Sequence, residues 1–177
     1  MQKAELPITL ADSKQPHRQT IRSMHTFTDR DIDLVNFEDN FLRGMLLRSD
    51  FESGRSELIL DIDYTAEAVV SNNQQKWMVA AATLIFHGVT GLKFAMDSND
   101  PNFQVCIPGD WISTVERTPV VPQLVHLDRA YWRWDFTFAL QTTLSFGSYG
   151  FTLEMRQEPV LWDDHQLPLS LRVDLQR

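Results

Sequence analysis

Trp132-Arg133-Trp134-Asp135-Phe136-Thr137-Phe138-Ala139-Leu140 sets large apolar residues on every second position, with Arg133, Asp135 and Thr137 between them. A strand turns successive side chains to opposite faces, so this spacing predicts one dry face and one wet face. Aromatic residues dominate the dry face, which suits a pleated, half-buried surface. The same period recurs on both sides. Residues 142–146 and 150–156 read as a pair of strands turning at Gly147-Ser148-Tyr149-Gly150. Residues 42–51 and 57–64 read as a hairpin, with Leu58, Leu60, Ile62 and Tyr64 on one face and Ile59, Asp61 and Asp63 on the other. Its turn is Glu52–Ser56, where Gly54 can supply a positive φ.

Residues 76–87 are apolar on both faces at one end, the pattern of a central strand covered on both sides. Gly88 and Gly91 bracket a tight connection to Leu92, Phe94 and Met96. A strand over 111–117 carries Trp111, Ser113, Val115 and Arg117, and Pro119 and Pro122 follow where a sheet interior would lose ladder donors. Thr28-Asp29-Arg30-Asp31 resembles a capping box, so a short helix or turn is predicted there. The fold class is therefore all-β: an antiparallel sandwich or bent roll of about eight strands, with at most one short helix near the N-terminus. Residues 1–26 read as a flexible arm and 27–177 as a single β domain. The expected core is Leu58, Leu60, Ile62, Leu84, Phe86, Leu92, Phe94, Trp134, Phe136, Phe138, Leu144, Phe146, Phe151 and Leu153.

At 177 residues and 43% hydrophobic content, a chain can bury roughly 70% of its unfolded surface without a staple. One cysteine, Cys106, excludes an internal disulfide and fits a reducing, cytoplasmic setting. No apolar run is long enough to span a bilayer as a helix. The net charge is −8, and it is uneven. Residues 29–67 hold eleven acids against four arginines. That surface repels a phosphate backbone, which argues against nucleic acid, and it attracts a basic protein partner. Asp29, Asp31, Asp33 and Glu38 are the candidate partner-binding residues.

Catalytic and metal signals are absent at the level of motif. His17, His25, His87, His126 and His165 show no ligand spacing, and neither a metal nor a cofactor is called for. Asp97-Ser98-Asn99-Asp100 lacks the glycine and the glutamate of a calcium loop and reads as a turn. Cys106 sits between Val105 and Ile107 and reads as a buried thiol. Two further readings stay open. Trp111, Trp132 or Tyr149 can serve as a stacking platform for a sugar or another small ligand. Asp61 and Asp63, on one face of a strand, can serve a carboxylate-based hydrolase if a second strand sets their distance. A dimer can form through the strand at 131–140 if that strand lies at an edge.

Phe37-Glu38-Asp39-Asn40 and the hairpin to Tyr64 resemble the opening of a group of small bacterial β proteins, some of them immunity proteins of polymorphic toxin systems. Leu58-Ile59-Leu60-Asp61-Ile62, Leu84-Ile85-Phe86-His87-Gly88-Val89 and Leu92-Lys93-Phe94 resemble its later strands. Ser145-Phe146-Gly147-Ser148-Tyr149-Gly150-Phe151 is similar to its closing hairpin. Glu38 departs from the group, which has histidine there. The resemblance implies a non-enzymatic, immunity-type inhibitor and carries over no site residues.

Overall fold

The computed structural model describes residues 26–50, 55–71, 74–96, 109–120, 130–140 and 142–173. Ten strands fill most of them: β1 (Thr26–Thr28), β2 (Phe41–Asp50), β3 (Arg55–Ser71), β4 (Gln74–His87), β5 (Thr90–Met96), β6 (Asp110–Pro119), β7 (Trp132–Phe138), β8 (Thr142–Ser148), β9 (Gly150–Met155) and β10 (Val160–Trp162). Single 3₁₀ segments span Asp29–Leu34 and Leu169–Leu171. The second, near the C-terminus, is one more turn than the sequence pattern predicts. Every strand pair is antiparallel, so the all-β reading holds. The spatial order is β1-β9-β4-β3-β2-β6-β7-β8-β5, with β10 beside β4.

The glycine-rich segments act differently from the turns predicted there. β8 and β9 do not pair with each other, and the segment between β4 and β5 does not reverse. Instead each pair forms one bent run. Across these two runs the pairing continues almost unbroken: Met96 faces Thr142, Thr90 faces Gly147, His87 faces Gly150 and Ala82 faces Met155. From β9 the hydrogen-bonded path thus runs through β4, β3, β2, β6 and β7 to β8, which belongs to the same run of chain as β9. The sheet closes on itself as a roll.

Packing at the bend explains the glycines. Gly88 has φ of 64°, and a Cβ there would lie 2.2 Å from the Tyr149 ring. A Cβ on Gly147 would lie 2.5 Å from the Tyr131 ring. The two tyrosine rings meet edge to face at 5.1 Å.

Inside the roll, Leu58, Leu60, Ile62, Leu84, Phe86, Leu153 and Phe151 face Trp134, Phe136, Phe138, Leu144 and Phe146 in one buried cluster. Phe86 lies at its centre, within 6.3 Å of Trp134, Phe136, Phe146 and Phe151 by ring centroid. Two core expectations are not met in full, and one residue of the predicted dry face, Leu140, leaves the strand. Leu92 is only partly buried, and Phe94 is 37% exposed on the terminal strand β5. Leu140 falls in the turn after β7 and is half exposed. A bulge between Ile112 and Thr114 also shifts the inward face of β6. It passes from Ile112 to Val115 and Arg117, away from the face of Trp111 and Ser113. Finally, β7 is bonded to β6 and β8 along both edges, which closes the predicted dimer route through residues 131–140.

Candidate functional site

The 3₁₀ segment Asp29–Leu34 is fixed at its start by Thr28. The Thr28 amide donates to Asp31 Oδ2 at 3.0 Å, and the Arg30 amide donates to Thr28 Oγ1 at 3.4 Å. This is the capping box expected from the sequence. Ile32, Val35 and Phe37 turn inward against the core. Phe37 meets Trp134 and Phe151 at 5.6 and 5.1 Å. Asn36, Asp39 and Asn40 pin the crossing to β2. The Asn36 amide donates to the Tyr64 hydroxyl, the Asp39 amide to the Ile112 carbonyl, and Asn40 Oδ1 accepts from the Thr65 amide.

This inward anchoring leaves an acidic rim. Asp29, Asp33, Glu38 and Asp39 are exposed, while Asp31 is partly buried and spent on its cap. None of the five forms an ion pair with a described residue. Of the four predicted partner-binding residues, the fold therefore presents Asp29, Asp33 and Glu38 to solvent on one segment, and Asp31 serves that segment's shape.

Asp61 and Asp63 lie on the outer face of β3, as the alternation predicts, but that face is covered. The chain after β9 returns across it, and Leu167 is fully buried there. Asp63 has no exposed side-chain surface. It accepts from Arg43 Nε and Nη2 at 2.8 and 2.6 Å, from Arg172 Nε at 2.7 Å and from the Leu167 amide at 3.0 Å. Asp61 accepts from Arg156 Nη2 at 2.7 Å and from Arg172 Nη2. Burial disfavours the charged form of Arg172, but hydrogen bonds and charge from Asp61 and Asp63 outweigh it and raise its pKa. Three guanidiniums hold the pair: Asp63 is closed off on both oxygens, while Asp61 is held through Oδ1 and its side chain stays 18% exposed. The hydrolase reading loses its pair, and the solvated strand face of the sequence becomes a buried ion cluster.

The aromatic candidates do not form one platform. Trp111 packs edge to face on Phe41 at 5.0 Å and on His165 at 5.5 Å, and His165 lies 4.2 Å from Trp77. The Tyr149 ring fills the space beside Gly88. Trp132 carries the Arg117 guanidinium on its face. Of the histidines, His165 bonds the Thr65 hydroxyl at 3.0 Å. That hydroxyl already donates to the Asp39 carbonyl, so His165 Nδ1 must be the donor to it. His87 Nε2 bonds the Thr152 hydroxyl at 2.9 Å. His17, His25, His126, Cys106 and the 97–100 turn lie outside the described residues. Among those described, no three His, Cys, Asp or Glu side chains gather as a metal would require. Nor is any helix among them long and apolar enough to cross a membrane.

Sequence reasoning missed the arginines. Arg156 and Arg172 close the ion cluster from beyond residue 150, and no local pattern marks that contact. Arg117 carries a faint signal, since it stands in step with Val115. The bulge that turns both inward has no such mark. A scan against protein-family models finds no match, and a search of the curated proteins finds none either.

Proposed function

We propose that this chain is a non-enzymatic, cytoplasmic binding module whose acidic rim at residues 29–39 docks a basic protein, in the manner of an immunity-type inhibitor. The observation that carries this reading is the rim itself. Asp29, Asp33 and Glu38 are held in solvent by a capped, inward-anchored segment and pair with no cation among the described residues. Preorganised charge of one sign speeds encounter with an opposite surface and weakens with salt. The enclosure of Asp63 adds support, because it takes one carboxylate out of the pair a hydrolase would use.

The test compares wild type with the triple variant Asp29→Lys, Asp33→Lys, Glu38→Lys as bait in lysate of the source cell, with elution by a salt gradient. Asp31 is left intact so that the cap survives. A basic protein retained by wild type, released by salt and lost from the triple variant is the expected outcome. Equal retention by both baits overturns the acidic-rim reading.

A further inference from the structure

Arg117 on β6 has no role in the rim or in the ion cluster. It pairs opposite Trp134, which puts it on the inner face near one end of the roll. Its guanidinium carbon stands 3.9 Å from the centre of the Trp132 ring and 5.6 Å from that of Trp134. It makes no hydrogen bond or ion pair with any described residue. No wholly buried side-chain nitrogen or oxygen among those residues lacks a partner, so the Arg117 nitrogens are not wholly buried, and the residue is partly exposed. Arg30 and Lys93 also lack ion pairs, but both are exposed and have no ring against them. By contrast, Arg133, on the opposite face of β7, is already bonded to Asp135.

A guanidinium stacked on an indole keeps its charge and its in-plane donors. Stacking also fixes the side chain before a ligand arrives, which lowers the ordering cost of binding. We infer that Arg117, held on the face of Trp132, is a recognition site for a carboxylate carried on an apolar or aromatic body. The planar fork of donors matches a carboxylate edge. Trp132 and Pro119 opposite it offer the apolar surface for the body. A monoanion fits better than a phosphate dianion. The whole chain carries −8, and Glu116 and Asp135 stand on the same two strands. The site uses none of the rim residues and stands or falls apart from the rim reading. The carboxylate can belong to a free small acid or to the end of a polypeptide.

The experiment follows the Arg117 Nε–Hε signal of the ¹⁵N-labelled full chain, assigned by its loss in Arg117→Met. The probes are benzoate, benzamide, N-acetyl-glycyl-phenylalanine, the amide of that peptide, and inorganic phosphate. Saturable movement with a carboxylate, and none with its neutral amide, is expected. Arg117→Met should weaken binding roughly tenfold or more, as read by tryptophan fluorescence, and Arg117→Lys should recover only part of it. A response to benzoate alone assigns a free acid, and a response to the peptide acid alone assigns a chain end. Trp132→Leu keeps the charge and should lose both the ring-current shift of the signal and most of the affinity. No saturable movement with either carboxylate in wild type overturns the site, as does tighter binding of phosphate than of benzoate.

Discussion

Asp63 is enclosed by Arg43, Arg172 and the Leu167 amide, so removing its carboxylate strands buried cations. Breaking a buried ion pair by deleting one partner costs about 3–5 kcal/mol. Asp63→Ala is therefore expected to lower unfolding free energy in urea by that order, and a loss below about 1 kcal/mol would show that the cluster adds little. Tyr64 gives a pH signature. Burial raises its pKa above the ordinary 10.0, against a smaller opposing effect of the Asn36 amide. The folded state then holds the proton where the unfolded chain gives it up. This contribution to stability is complete below about pH 10 and is lost as pH rises through the folded value. Tyr64→Phe should flatten the fall in Tm above about pH 10, and an unchanged alkaline slope would count against it. Both residues illustrate the limit of reading at this scale. Alternation with Leu60 and Ile62 marks Asp61 and Asp63 as outward, yet Arg172 lies 109 positions beyond Asp63. What covers a strand face is set by chain return, which leaves no local period.

Strands β4 with β5, and β8 with β9, were legible as apolar alternation broken by glycine. Whether the break reverses the chain or merely bends it is not, since glycine serves either. Here Tyr149 occupies the space over Gly88 and thereby fixes the bend. Gly88→Ala is expected to destabilise strongly, because it combines a positive φ with a clash on a ring. Adding Tyr149→Ala should recover part of that loss, so the two changes are non-additive. Gly91→Ala is the control: its φ is 61°, but nothing lies within 4 Å of the new Cβ. It should cost only the backbone strain, about 1–2 kcal/mol. Chemical denaturation of the three variants and the double variant checks the set. Strict additivity of Gly88→Ala and Tyr149→Ala would remove the steric account of the bend. The capping box at Thr28 and Asp31 was readable because its whole mechanism lies within four residues.

The roll encloses one aromatic core, with Phe86 of β4 among Trp134 and Phe136 of β7 and Phe146 of β8. Neither side of the roll keeps a buried face without the other, so the molecule should unfold in one step. Tryptophan fluorescence and far-UV circular dichroism should give coincident midpoints in guanidinium, whereas separated midpoints would mean the two sides of the roll unfold independently. Sequence alone determined the all-β class, the positions of most strands, nearly all of the core and the acidic character of residues 29–39. Each of these follows from side-chain period or composition, properties that act between near neighbours. Tertiary structure decided the rest: the closing of the sheet through two bent strands, the covering of Asp61 and Asp63 by a returning chain, the exposure of Asp29, Asp33 and Glu38 beside an inward-anchored Asp31, and the stacking of Arg117 on Trp132. Those features depend on which distant segments meet, and a pattern of alternating residues does not encode that meeting.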